Sequence, residues 1–230
     1  GVRGAPRVHD ELRYRGEACG RHRVARLMRA AGLQGVPQKR RWRKKGATPR
    51  PASVINHLER DFTAGAPNRK WVTDITYIRT AERWLYLCVV IDLYNHVVVG
   101  WSMSPRQDHE LVMRAVLMAL WQREGHEPVI LHSDRGCQFT SDDYQRFLKD
   151  HQVVCSMSAV GSCADNAAAE GFFGMLKRER VHRRCYQSHA EARADIFDYI
   201  ERFYNPARRR RFAALQPEQR PLTKPSVEMG

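Results

Sequence analysis

Three strand-like segments follow one another in the first half of the chain, and short links join them. Residues 71–78, 84–92 and 97–103 are rich in β-branched, aliphatic and aromatic side chains, as β-strands are. The links span only residues 79–83 and 93–96, too few for the crossover that parallel neighbours require. The sequence therefore predicts a meander of three antiparallel strands.

Helical and strand-like segments then alternate along the chain. Apolar spacing predicts helices over residues 108–124, 142–150, 166–180 and 190–204. Short β-rich runs at residues 129–131 and 153–157 predict two further strands, and Ser141 is a candidate N-cap for the second helix. This order predicts an α/β, ribonuclease-H-like core in which helices flank a five-stranded mixed sheet.

The N-terminal segment is predicted to form two short helices around the turn at residues 19–20. The second helix places Val24, Leu27 and Met28 on one apolar stripe. Arginines lie mostly off that stripe, and the pattern favours a helix-turn-helix whose second helix binds DNA through Arg21, Arg23 and Arg26. The alternative is a basic helical hairpin that packs against a neighbouring element.

The net charge of +14 is unevenly distributed. Residues 1–50 have a balance of +12, residues 51–175 of −4, and residues 176–230 of +6. Basic flanks around an acidic centre indicate a metal site between segments that bind a polyanion, and nucleic acid is the favoured polyanion. We expect a helix-turn-helix-like segment (1–36), a basic linker (37–54) whose Lys44 and Lys45 contact DNA, a catalytic core (55–205) and a basic tail (206–230).

Several classes of protein are not favoured. The longest apolar run covers residues 84–91 and ends at Asp92, well short of the roughly 18 residues that a membrane span needs. Six cysteines are scattered without a Cys-x-x-Cys pair, which is typical of reduced thiols in a cytoplasmic protein. Cys19 and His22 have the spacing of half a zinc site, but no second half follows.

Three acidic residues occupy positions that favour metal chemistry. Asp74 interrupts an apolar strand, Asp134 ends another, and Glu170 lies beside the apolar stripe of a helix. A charge in such a place must be paired or bound to metal, and carboxylates suit two Mg²⁺ or Mn²⁺ ions. Each acid alone could equally form a salt bridge or cap a helix. Asn166 and Lys177 share the helix face of Glu170 and, with Arg178, are candidate DNA contacts.

Residues 71–78, 131–136 and 165–173 resemble the integrase core of OrfB-type insertion-sequence transposases of the IS3 family. Between Asp134 and Glu170 lie 35 residues, the spacing of the DD(35)E signature that retroviral integrases share. The resemblance covers about residues 55–205 and implies that Asp74, Asp134 and Glu170 bind metal and catalyse the reaction. It also implies a ribonuclease-H-like fold, double-stranded DNA as partner, at least two copies on DNA, and a place on the bacterial nucleoid in the cytoplasm.

The sequence thus predicts a DNA transposase that cleaves strands at transposon ends and joins the freed 3′-hydroxyl to target DNA. The carboxylate pattern alone supports only a nuclease. Two alternatives therefore stay open: a ribonuclease-H-like nuclease without strand transfer, and a non-catalytic DNA-binding protein derived from a transposase.

Overall fold

The computed structural model describes residues 4–35, 63–123, 125, 127–134, 138–157 and 166–215. Two short N-terminal helices precede an α/β core. The helices and strands run α1 (Ala5–Tyr14), α2 (Arg21–Ala30), β1 (Lys70–Thr80), β2 (Arg83–Asp92), β3 (Val98–Ser104), α3 (His109–Gln122), β4 (Val129–Ser133), α4 (Asp142–Asp150), β5 (Val153–Met157), α5 (Ala167–Glu179), a 3₁₀ turn (Val181–Arg183), α6 (His189–Phe197), a π-helical segment (Asp198–Tyr204) and α7 (Asn205–Leu215).

The five strands form one mixed sheet in the order β3-β2-β1-β4-β5. β1 pairs antiparallel with β2, and β2 pairs antiparallel with β3, so the predicted meander is confirmed. β4 runs parallel to β1 on one side and to β5 on the other. The β1–β4 pairing covers only Lys70–Val72 of β1, so the two strands diverge beyond that point.

Each face of the sheet has its own apolar core, because successive side chains on a strand point to opposite faces. Val72 and Ile78 of β1 pack with Phe172 of α5 and with α6 and the π-helical segment on one face. Trp71 packs with α3 and α4 on the other. Helix α3 lies directly against β3 on this face, because a Cβ on Gly100 of β3 would lie 2.2 Å from the carbonyl oxygen of Ala115. The sheet is therefore covered on both faces.

The predicted helices of the core are present, and two of them are capped as their sequences suggest. The Asp108 carboxylate accepts a hydrogen bond from the amide of Leu111 at 3.0 Å. The Ser141 hydroxyl accepts one from the amide of Tyr144. Leu27 differs from its prediction, because it is 56% exposed, whereas Val24 and Met28 are buried. The packed stripe of α2 is thus narrower than its sequence predicts.

The last helical region extends beyond its predicted end at Tyr204. The π-helical segment leads directly into α7, which reaches Leu215. The Asn205 side chain forms two 2.9 Å hydrogen bonds with the amide and carbonyl of Val98 on β3. Phe212 contacts the ring of Tyr94. The boundary predicted between core and tail at residue 205 therefore falls inside a region that packs on the core.

The two N-terminal helices contact the core at its last helices. Arg7 of α1 forms an ion pair with the buried Glu179 of α5, and a guanidinium nitrogen lies 3.0 Å from the sulfur of Met175. Glu11 lies 3.5 Å from Arg210 of α7. Within the described ranges, no helix is long and apolar enough to cross a membrane.

Candidate active site

Two of the three predicted carboxylates are brought together by strand register. β1 and β4 run parallel, and Val72 is the partner of His132. Asp74 stands two residues further along β1, and Asp134 directly follows the last residue of β4, Ser133. Asp74 shares the face of Val72, which α5 covers, and Asp134 is near enough for its charge to raise the pKa of Asp74. Two neighbouring parallel strands therefore bring these two acids near each other.

The third carboxylate, Glu170, comes from the first turn of α5. This helix contacts β1, and Asn166 at its N-terminus fixes the contact: its side-chain amide donates a hydrogen bond of 3.3 Å to the carbonyl of Thr73. Thr73 directly precedes Asp74. One buried amide thus holds the beginning of the Glu170 helix against the strand that carries the first aspartate.

The electrostatics of Asp74 show that the three acids act on one another. Its pKa is raised to about 7, chiefly by burial and further by the negative charges of Asp134 and Glu170. The amide of Ile75, which donates to Asp74 at 2.8 Å, and the charge of Lys177 lower that pKa. Asp74 is half-buried, whereas Asp134 and Glu170 are exposed. The three acids therefore lie close enough for their charges to influence one another.

The donor set suits a hard divalent cation. Three carboxylates, one inside β1, one directly after β4 and one on α5, provide only oxygen ligands, which Mg²⁺ and Mn²⁺ prefer. Burial is the main reason that the pKa of Asp74 is raised, and the charges of Asp134 and Glu170 raise it further, so a bound cation would favour the ionised carboxylate. Among the described residues, no three His, Cys, Asp or Glu side chains lie close enough to form a finished metal-binding group. The three carboxylates are near enough to influence the pKa of Asp74 but are not arranged around one ion position.

The candidate DNA contacts fall into two groups. Arg21, Arg23 and Arg26 are exposed on α2. Lys177 and Arg178 are half-buried near the end of α5, and the ammonium of Lys177 is close enough to Asp74 to lower its pKa. Lys44 and Lys45 lie outside the described residues. A DNA contact by any of these side chains stays a prediction.

Asn166 is the predicted DNA contact whose surroundings most restrict its role. It is 7% exposed, and its amide is already used by the Thr73 carbonyl. Within the part of the chain that the structure describes, its side-chain oxygen is buried and lacks a hydrogen-bond partner. The observed role of Asn166 is to join α5 to β1. For a DNA contact, the DNA would have to reach its buried side-chain oxygen.

Two buried polar groups support the ends of β2 and β4. His132 is fully buried, and its Nδ1 lies 3.0 Å from the hydroxyl of Ser156 on β5. Asp92, which ends β2, accepts hydrogen bonds from the amides of Asn68 and Tyr94, so its role is structural. The partner that sequence reasoning missed is Ser156, which only the register of β4 and β5 places beside His132.

Three models of known protein families together match this chain over most of its length. The integrase core domain matches residues 64–163 and, in a second model, residues 170–221. An HTH-like domain matches residues 1–41. The two integrase-core matches contain all three carboxylates, and the HTH-like match contains α1 and α2.

Individual relatives are similar over nearly the whole chain. Transposase InsF for insertion sequence IS3A of Escherichia coli (strain K12) is 47% identical over 221 residues, which cover 94% of this chain and 75% of the relative. The chain belongs to the IS3 family of insertion-sequence transposases. The transposase for insertion sequence element IS904 of Lactococcus lactis subsp. lactis (strain IL1403) is 38% identical over 208 residues, covering 89% and 81% of the two chains. This member of the IS3 family is thus a transposase with an integrase catalytic core.

A solved structure agrees with the fold. The catalytic domain of Mos1 mariner transposase superposes with a TM-score of 0.51 over 66% of this chain and 78% of that one, at 14% sequence identity. Identity at this level carries information about the fold alone. The predicted ribonuclease-H-like integrase fold is confirmed, as is the helix-turn-helix-like N-terminal segment.

Proposed function

We propose that this IS3-family transposase cleaves DNA strands at the ends of an insertion sequence and joins each freed 3′-hydroxyl to target DNA. The observation that carries the proposal is the convergence of Asp74, Asp134 and Glu170. Asp74 lies on β1 and Asp134 directly follows β4, the parallel neighbour of β1, while Glu170 stands on a helix joined to β1 by Asn166. The charges of Asp134 and Glu170 both raise the pKa of Asp74.

In this proposal Asp74, Asp134 and Glu170 hold two Mg²⁺ or Mn²⁺ ions. When bound, such ions polarise the attacking oxygen and stabilise the leaving oxygen of an in-line displacement at phosphorus. The protein supplies the oxygen ligands and their orientation. The rigid part of the site is Asp74, inside a paired strand, while the exposed Asp134 and Glu170 have room to adjust their side chains.

The cationic residues of α5 complete the site on the substrate side. Lys177 lies two turns beyond Glu170 on the same helix face, and its charge acts on Asp74. We assign it to a phosphate of the DNA strand next to the scissile bond. Arg178 is assigned to a neighbouring phosphate. Their contribution is to orient the strand, since contacts with phosphates position DNA without reading its sequence.

The rest of the chain is assigned to holding DNA. We propose that segment 1–36, through Arg21, Arg23 and Arg26, and the linker 37–54, through Lys44 and Lys45, bind double-stranded DNA beside the core (55–205) and the basic tail (206–230). Because an insertion sequence has two ends, at least two copies of the chain act together. The reaction takes place on the nucleoid, in the bacterial cytoplasm.

The decisive experiment uses a labelled duplex that carries the terminal repeat of the element, incubated with the protein and Mg²⁺. We expect a nick at the element end, followed by joining of that end to a second duplex. Substituting one ligand, Asp134→Ala, is expected to lower both rates by more than about 100-fold, since even groups that merely support metal ligands contribute about 10- to 100-fold.

Asp150→Asn is the matched control, because Asp150 is an exposed acid at the end of α4. It should cleave and join like the unmodified chain. Nicking without joining would favour the nuclease alternative, and binding without nicking would favour the non-catalytic alternative. Equal activity of Asp134→Ala and Asp150→Asn would refute the assignment of the site.

A further inference from the structure

The hairpin of β1 and β2 carries two large aromatic side chains that remain in water. Tyr77 is 57% exposed and Trp84 is 45% exposed. Their ring centroids are 5.1 Å apart and their planes are nearly perpendicular, at 82°. Such a cross-strand pair stabilises a hairpin, yet about half of its surface is left uncovered. An aromatic surface of this kind is available to a ligand with a flat apolar face.

A cation connects this aromatic pair to the candidate active site. The ammonium of Lys177 lies 4.7 Å from the centroid of the Tyr77 ring, and the same side chain acts electrostatically on Asp74. Tyr77 and Asp74 are three residues apart on β1, or about 10 Å along a strand. Because the two positions differ by an odd number, their side chains point to opposite faces of the sheet, and Lys177, which contacts the Tyr77 ring and acts on Asp74, links the two.

Beyond Thr73, whose carbonyl accepts the Asn166 amide, the described residues leave most of this edge of β1 without a strand partner. β4 pairs with β1 only as far as Val72, and an isolated bridge joins Thr80 to Tyr186 at the other end. Between these two points no described strand pairs with β1 on that side. A DNA strand leaving the carboxylates could therefore pass along this edge toward Tyr77 and Trp84.

The charge of the hairpin fits a polyanion. Arg79 and Arg83 are exposed at the end of the hairpin, and Lys177 lies at its side. A ring that stacks on a base, next to a cation that binds a phosphate, is the combination by which proteins hold single strands. The flat face of a base is covered inside a duplex, so the fitting ligand is an unpaired nucleotide.

We propose that Tyr77, Trp84 and Lys177 form a stacking surface for an unpaired nucleotide within about three stacked steps of the scissile phosphate, at about 3.4 Å per step. The proposal rests on the proposed function, because the scissile phosphate is placed at the carboxylates. The surface keeps the strand unpaired beside the cleavage site. Its ligand is the base and phosphate of single-stranded DNA, without regard to sequence.

The test measures binding of a short thymine oligonucleotide that contains one 2-aminopurine, whose fluorescence is quenched by stacking. The full chain is used in EDTA, so that no cleavage is involved. We expect quenching with the unmodified chain. Trp84→Leu and Tyr77→Leu should each lose the quenching and bind about tenfold more weakly, within the range known for the loss of one base–aromatic stack. Lys177→Met should weaken binding but retain quenching at saturation.

Trp121→Leu is the matched control, because Trp121 is 84% exposed on α3, and this variant should bind and quench like the unmodified chain. Trp84→Phe retains an aromatic ring and should retain most of the affinity, which separates stacking from a folding defect. The proposal is overturned if Trp84→Leu behaves like Trp121→Leu. It is equally overturned if Trp84→Leu changes the sedimentation of the protein but not its affinity for the oligonucleotide, because the pair then lies between protein copies.

The outcome is independent of the cleavage assay. A chain that quenches the oligonucleotide but never nicks the terminal repeat would refute the proposed function and leave the stacking surface standing. A chain that nicks and joins normally without any quenching would refute the stacking surface alone.

Discussion

Asp74 is the residue on which the chemistry of the site depends most. It lies in the middle of a paired strand, and burial together with two neighbouring carboxylates raises its pKa from 3.8 to about 7. Near neutral pH a proton therefore competes with a cation for this side chain. The surplus charge that suits the site to metal also destabilises the metal-free protein.

A pH dependence of stability follows from that shift. The folded pKa is above the unfolded one, so between about pH 4 and 7 the folded state binds the extra proton. The free energy of unfolding in EDTA should then fall as the pH rises through this interval, by about 1 to 3 kcal/mol for a partly solvated group.

Asp74→Asn keeps the shape of the side chain and removes its titration. Denaturant unfolding of this variant should therefore lack the part of the fall in the free energy of unfolding between about pH 4 and 7 that Asp74 causes. Mg²⁺ added at pH 8 should raise the stability of the unmodified chain and have little effect on the variant. Identical pH profiles for the two proteins would contradict the raised pKa.

Asn166 adds a polar link to the apolar packing of α5 against the sheet. It occupies the N-cap position, but its side chain caps no amide of its own helix and donates to the Thr73 carbonyl instead. The link joins the first turn of the helix of Glu170 to the strand of Asp74. The orientation of the third carboxylate therefore depends in part on a hydrogen bond that lies outside the three acids.

Asn166→Ala should reduce the rate of cleavage at the element end by about 10- to 100-fold, as is usual when a group that orients a metal ligand is removed. Its affinity for the same duplex in EDTA should stay unchanged, and its stability should fall by only about 1 kcal/mol. An equal loss of affinity and rate would instead identify Asn166 as a DNA contact, the role that its sequence position first suggests.

The sequence predicts the helices and strands well, but not all of the contacts between them. The strands, the helices of the core and the cap Ser141 follow from periodicity and local chemistry, which are properties of neighbouring residues. The link from Asn166 to Thr73 spans 93 positions, so no local pattern shows it. The three acids were identifiable because their spacing resembles a known signature, whereas Tyr77 and Trp84 carry no such signature and only their exposure distinguishes them.

The extension of the last helix illustrates the same limit. Pro206 follows Asn205, and a proline usually marks a helix boundary. The structure passes this point through the π-helical segment, and α7 begins at Asn205 with the proline in its first turn, where a missing amide costs little. The two hydrogen bonds from Asn205 to Val98 on β3 hold the junction. Such a long-range contact decides the boundary and cannot be seen in the local sequence.

For the molecule as a whole, the N-terminal segment and the catalytic core meet on the helix of Glu170. Arg7 of α1 pairs with Glu179, whose other oxygen accepts a 2.9 Å hydrogen bond from Tyr199. The side chain of Glu179 is 6% exposed and that of Arg7 is 47% exposed. The ion pair therefore links the N-terminal helix α1 to the helix that carries Glu170.

Among the described residues, removing Arg7 leaves the buried Glu179 carboxylate with the Tyr199 hydroxyl as its remaining partner. Arg7→Ala should therefore lower the free energy of unfolding by about 1 to 3 kcal/mol, less than for a fully buried pair because Arg7 is partly solvated. Arg15→Ala removes an exposed intrahelical pair with Glu11 and should cost less than about 0.5 kcal/mol. Adding Glu179→Gln to Arg7→Ala should recover much of the loss, since no unpaired charge then remains buried. Denaturant unfolding of these four proteins measures each step, and a cost for Arg7→Ala no larger than for Arg15→Ala would show that α1 is not held by this ion pair.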